Sequence, residues 1–120
     1  TATIADLRDL EAKVERAMSF HGARYLHVLV PCPLGWGSAS CDTIKIARLA
    51  TQSGLFPVFE AVNGEMITSS KIRKKVQVDE YLKLQSRYAH LFSPQRNNEV
   101  IDHLQRIADR NIARYELMEE

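Results

Sequence analysis

Apolar residues recur along the chain with two different periods. Near the start, Ile4, Leu7, Leu10, Val14, Ala17 and Met18 follow one another at spacings of three and four, which predicts one apolar face of a helix. Thr3-Ile4-Ala5-Asp6 before it has the hydroxyl-x-x-acid form of a helix N-terminus, and Gly22 is a natural stop. Tyr25-Leu26-His27-Val28-Leu29-Val30 is then almost continuously apolar, as expected of a strand covered on both faces in a parallel sheet. Residues 31–40 hold two prolines and two glycines and read as a loop at the C-terminal end of that strand, where ligands gather in open α/β sheets. A helix is predicted over residues 42–53, with Ile44, Ala47 and Ala50 on one side and Ile46 and Leu49 widening the face until Gly54. Residues 57–62 read as a strand. Asn63-Gly64 is a strong hairpin turn because both residues accept positive φ, and residues 65–69 form the return strand. Residues 78–84 suit a short helix, and a last helix spans about residues 98–117, striped by Ile101, Leu104, Ala108, Ile112 and Tyr115.

This order places the chain in the α/β class, entered in the middle of its pattern with no leading strand, and ending in a helical tail that wraps something. It implies a piece of a larger subunit or one piece of a split one.

Composition narrows the setting. The chain has 120 residues, 45% hydrophobic and 26% charged, as a globular domain with a packed core should. A formal charge of +1 argues against nucleic-acid binding, which needs a clustered basic surface. The first residues lack the basic and apolar regions of a signal peptide, and no apolar run approaches the roughly 18 residues of a membrane span. Two cysteines are too few for a secreted disulfide framework, so a reducing, cytoplasmic setting is expected.

Candidate chemistry centres on Pro31-Cys32-Pro33-Leu34-Gly35-Trp36-Gly37. Pro31 and Pro33 fix φ and offer no N–H, which predicts a stiff, extended loop that holds a thiolate in one place. Gly35 and Gly37 let the backbone come close to a cofactor, and Trp36 can exclude water. Two readings of Cys32 stand on spacing alone: one of four thiolate ligands of an iron–sulfur cubane, or a buried thiol acting as a small hydrophobe, the second weighing more. Cys41 reads as a structural cysteine, because no Cys-x-x-Cys joins it to Cys32. His27 reads as a hydrogen-bonded core residue, His21 as a helix C-terminal charge, and His90 and His103 as surface or interface positions. The basic run of Lys71, Arg73, Lys74 and Lys75 is either a solvated loop face or a steering patch for an acidic electron carrier.

Residues 25–37 resemble the strand and loop of 2-oxoacid:ferredoxin oxidoreductase β subunits, the pyruvate type in particular. Ile46-Ala47-Arg48-Leu49-Ala50, Gly54-Leu55-Phe56-Pro57-Val58-Phe59-Glu60, Asn63-Gly64 and Val78-Asp79-Glu80-Tyr81-Leu82-Lys83-Leu84-Gln85-Ser86-Arg87-Tyr88-Ala89-His90-Leu91 continue the resemblance collinearly. The resemblance implies an α/β fold in which residues 1–62 end a thiamine-diphosphate-binding parallel-sheet domain with the cysteine loop, and residues 63–120 add a hairpin and a helical C-terminal extension. It implies oxidative decarboxylation of a 2-oxo acid on thiamine diphosphate and Mg²⁺, acyl transfer to coenzyme A, and electron flow through [4Fe-4S] clusters to ferredoxin. Pyruvate is the default substrate, with an aromatic 2-oxo acid such as phenylglyoxylate left open. By position, Cys32 matches the late cysteine ligand of a cluster, with the Gly35, Trp36 and Gly37 amides near its sulfurs. The chain departs from the family in lacking both Cys-x-x-Cys and a Gly-Asp-Gly segment, so the resemblance implies an enzyme only in company with an upstream part and other subunits. Two alternatives remain: an assembly module working through the stripe from Ile101 to Tyr115, and a stand-alone thiol domain using Cys32.

Overall fold

In the computed structural model, residues 1–119 are described; residue 120, the last of the expected C-terminal extension, lies outside them. In chain order the elements are β1 (Ala2–Thr3), α1 (Leu7–Ser19), β2 (Val28–Leu29), α2 (Pro33–Trp36), a 3-10 turn (Ser40–Asp42), α3 (Thr43–Gln52), β3 (Phe59–Val62), β4 (Glu65–Ser69), α4 (Val78–Leu82), a second 3-10 segment (Ser86–Leu91) and α5 (Asn98–Arg114). The fold is α/β: a short parallel pair, an antiparallel hairpin and packed helices. No helix among the described residues is long and apolar enough to cross a membrane.

The start differs from the sequence-based expectation. Residues 2–3 form a leading strand, pairing in parallel with Val28 and Leu29, and the Ala2 amide donates to the His27 carbonyl at 2.9 Å. Ladder bonds to residues 27–29 satisfy backbone groups that a helix begun at Thr3 would leave open at its first turn. Asp6, rather than Thr3, caps α1: its carboxylate accepts from the Asp9 amide at 3.1 Å.

The apolar face of α1 is also only partly covered, with Leu10 and Ala17 half-buried. Leu7 and Met18 are 65% and 71% exposed, while the one buried residue of α1 is Lys13, whose ammonium lies 2.6 Å from Asp9. Nor is the strand of residues 25–30 covered on both faces, since only Val28 and Leu29 join the ladder and Tyr25 is 86% exposed. One two-residue neighbour cannot cover a six-residue apolar run.

The core lies elsewhere. Ile46, Leu49 and Ala50 of α3 meet Val78, Tyr81 and Leu82 of α4 and Ile101 and Ala108 of α5. It therefore joins residues on both sides of the hairpin. Gly54 makes the α3–α5 approach possible: φ is +84°, and a Cβ there would sit 2.6 Å from Ile112 Cγ1. Asn111 Nδ2 seals the contact by donating to the Gly54 carbonyl at 3.0 Å. Asn97 caps α5, accepting from the Val100 amide at 3.2 Å. Helix α5 stops at Arg114, short of the expected residue 117, because the chain turns back through Glu116 at φ +50° and buries Leu117. The hairpin turn has the expected positive φ at Asn63 and Gly64.

The radius of gyration is 15.6 Å, with extents of 52 × 32 × 24 Å. A compact domain of this length is nearer about 13.5 Å. The elongation comes with the uncovered apolar face of α1.

Candidate functional site

The end of β2 leads into fully buried Pro31 and then exposed Cys32, so the thiol stands where the chain leaves the interior. The segment that follows is a helical turn, not the extended loop expected from its two prolines. Pro33 occupies the first helical position, where a missing N–H costs nothing and its φ is already helical. The Trp36 amide donates to the Cys32 carbonyl at 2.9 Å, and the Ser38 amide to Pro33 at 3.0 Å. Gly37 closes the turn in the left-handed region at φ +66°.

Cys32 caps this turn with its own sulfur: Sγ accepts the Gly35 N–H at 3.3 Å. The three amides expected near the sulfur thus divide. Gly35 points at it, whereas Trp36 and Gly37 donate to the carbonyls of Cys32 and Pro33. A Cβ at position 35 would stand 3.4 Å from Sγ, so glycine keeps the sulfur uncrowded. Leu34, at the tip, is 96% exposed.

The far side of the turn is fastened to residues 85–88. The Ser86 amide donates to the Gly37 carbonyl at 2.9 Å, and a Cβ at position 37 would lie 1.7 Å from Ser86 Oγ. Trp36 rests one side on the core, and the Arg87 guanidinium lies 3.9 Å from its ring centroid. Spacing rules gave no hint of Arg87, because they reach only a few residues and the partner is 51 positions away in sequence. Ser38 Oγ, just past the turn, is buried with no hydrogen-bond partner among the described residues.

The other candidates separate. Cys41 is exposed in the 3-10 turn rather than packed as a structural cysteine, and both cysteines are free thiols. His27 is exposed instead of sitting hydrogen-bonded in a core; its ring meets Phe56 edge-on at 5.3 Å. The cause is the same thin sheet that leaves residues 25–30 uncovered. His21, His90 and His103 are exposed. Among the described residues, no three His, Cys, Asp or Glu side chains come together as a metal cage.

The basic run is partly engaged. Lys75 pairs with Asp109 at 2.7 Å, which holds that carboxyl below its ordinary range, and Lys71 donates to the Glu116 carbonyl. Arg73 and Lys74, with Arg48, border a cavity of about 540 Å³. A larger groove of about 850 Å³ runs past Phe20, Tyr25, His27, Phe59 and Tyr115. Tyr81 anchors the other end of the Arg87 contact. Burial pushes its hydroxyl above the usual phenol range, and neighbouring Tyr88 adds to the rise.

No protein-family model matches the chain. Among curated proteins it is 40% identical to pyruvate synthase subunit PorB of Methanosarcina barkeri over 117 residues, which is 98% of this chain and 40% of that protein. It is 41% identical to the PorB of Methanocaldococcus jannaschii over 109 residues, 91% of this chain and 35% of the relative. Ketoisovalerate oxidoreductase subunit VorB of Pyrococcus abyssi is 37% identical over 93 residues, 76% of this chain and 30% of that subunit. The chain thus spans about two fifths or less of the length of these relatives.

Proposed function

Since the chain belongs, over the length it spans, to the β-subunit family of 2-oxoacid:ferredoxin oxidoreductases, we propose that it forms the cluster-facing end of such a subunit and that Cys32 is one thiolate ligand of a [4Fe-4S] cluster. The observation that carries this reading is the Cys32 turn: an exposed thiol at a strand end, held by a capped turn, with an amide already directed at its sulfur. The donor set fits the group as one corner only. A cubane needs four thiolates, and no cage of three or more ligating side chains lies among the described residues. The remaining ligands belong to the rest of the protein. The same holds for thiamine diphosphate and Mg²⁺, for which these residues offer no carboxylate cluster. In this reading residues 1–62 end the domain that binds them, and residues 63–120 extend it.

A cluster held here would supply one-electron transfer, between oxidative decarboxylation of the 2-oxo acid with acyl transfer to coenzyme A and the reduction of ferredoxin. This chain's own part is placement. The Cys32 thiolate would hold such a cluster at the end of β2. The Gly35 N–H, directed at Sγ, would stabilise negative charge on the ligating sulfur and so favour a reduced cluster. Trp36 shields one side of the turn from water. Pyruvate is the default substrate of this reading, supported by the relatives named for pyruvate and for ketoisovalerate, with an aromatic 2-oxo acid such as phenylglyoxylate as the alternative. The setting is the cytoplasm, and the partners are the other subunits of the complex.

The uncovered apolar side chains Leu7, Met18, Tyr25 and Leu34 support docking against the remainder of the subunit. An assembly role through α5 has less support, because Ile101 and Ala108 are buried within the chain and Tyr115 stacks on Phe59 at 4.7 Å.

Cys32→Ser in the assembled complex tests the ligand role. It should cost the complex most of one cluster's iron and its electron paramagnetic resonance signal. Unchanged iron content and unchanged electron transfer to ferredoxin would reject it.

A further inference from the structure

We infer that Arg87 is a positioning residue for the Cys32 turn, acting through Trp36. This rests on the assignment of Cys32 as a cluster ligand and extends it to a residue far away in sequence. Five observations converge. The Arg87 guanidinium lies 3.9 Å from the Trp36 ring centroid and 4.7 Å from that of Tyr88. Its Nε donates to Gln85 Oε1 at 2.8 Å, and Nη2 to the Tyr81 hydroxyl at 3.3 Å. Gln85 is itself buried and donates from Nε2 to the Tyr81 carbonyl at 2.7 Å, so the carboxamide that orients Arg87 is held by the core. Trp36 packs against that same core. The adjoining Ser86–Gly37 backbone bond, at 2.9 Å, pins the end of the turn.

The guanidinium is therefore oriented in its own plane by two hydrogen bonds and stacked on an indole. A planar, forked cation does this and a lysine ammonium does not, since an ammonium has neither the plane nor the fork. Trp36 is the last residue of the turn whose first carbonyl and side chain belong to Cys32, and its amide donates to that carbonyl at 2.9 Å. Fixing the indole fixes the turn as a rigid unit, and with it the direction of Sγ. Releasing the indole frees Cys32 to sample several orientations, which a bound cluster records as a spread of environments.

The test uses the assembled oxidoreductase containing this chain, labelled with 5-fluorotryptophan, with the Trp36 ¹⁹F line identified by its loss in Trp36→Phe. In Arg87→Ala the Trp36 line should shift, and the resonance of the reduced cluster next to Cys32 should broaden while iron content stays unchanged. Arg87→Lys should assemble normally, keep the charge, and give a smaller shift and intermediate broadening. It carries the test by itself if the alanine variant fails to assemble. A Trp36 line unmoved in both variants overturns the clamp. A moved line with unaltered cluster linewidth in both overturns the link from Trp36 to Cys32. Cys32→Ser run in parallel separates these outcomes from failure of the ligand assignment, which alone leaves the cluster intact without Cys32.

Discussion

Helices α1 and α5 carry comparable patterns with opposite outcomes. Both are amphipathic, both are capped by an Asx side chain, and both repeat apolar residues at spacings of three and four. Helix α5 buries Ile101 and Ala108 against α3 and α4. Helix α1 turns Leu7 and Met18 outward and buries Lys13, whose ammonium pairs with half-buried Asp9. Periodicity therefore identifies a stripe that wants cover, while the cover itself depends on what the rest of the chain supplies. Residues 43–117 supply it; residues 1–30 contribute a two-residue sheet and little else.

The largest expected effect draws that contrast directly. Leu82→Ala should destabilise this chain by about 2–5 kcal/mol, the usual range for a fully buried leucine. Met18→Ala, at an exposed site, should stay within about 0.5 kcal/mol. Chemical denaturation of the two variants measures both. Equal losses would mean that the α1 stripe is already covered. In the assembled complex, Met18→Ala should become the more costly of its two settings.

Next in size is Gly54→Ala, which places a Cβ against Ile112 at a positive φ and should cost about 2 kcal/mol through overpacking and backbone strain. A thermal midpoint unchanged from wild type would show that α3 and α5 separate easily, and would blur the distinction between the two helices.

A smaller loss than that at Gly54 is electrostatic. Burial works to raise the Asp79 carboxyl, but Lys83 at 3.0 Å and Arg96 at 3.4 Å outweigh it and hold the group below its ordinary value. A depressed carboxylate stabilises the fold above its unfolded pKa, and this contribution fades as pH falls below about 4. Asp79→Asn should therefore remove about 0.5–1 kcal/mol at neutral pH and nearly nothing at pH 2, read from denaturation at both pH values. An equal loss at both would assign the effect to packing.

Much of the covered region was legible from its residues. The Asn63-Gly64 turn, helix α3 up to Gly54 and the start of α5 follow from local chemistry within a few positions. Cys32 is exposed, so the buried-thiol reading that spacing favoured does not hold for it. What sequence patterns did not disclose depends on distance or on neighbours. Strand β1 exists only because residues 27–29 lie beside it. The turn at 33–36 forms because Pro33 suits a first helical position, a role that reading both prolines as stiffeners of an extended segment obscured. The outward face of α1 is set by what is not packed on it. Arg87 meets Trp36 through the folding of α4 and the 3-10 segment, and no spacing rule connects them.

The contact at Gly37 has a consequence for how this loop can change over time. A Cβ at position 37 would collide with the Ser86 side chain and would sit at a positive φ, so a replacement there calls for a change at Ser86 as well. The backbone bond between the two positions involves neither side chain and keeps them adjacent. The cysteine turn and the segment bearing Arg87 are therefore expected to change together, as one inherited unit, although they lie far apart along the chain.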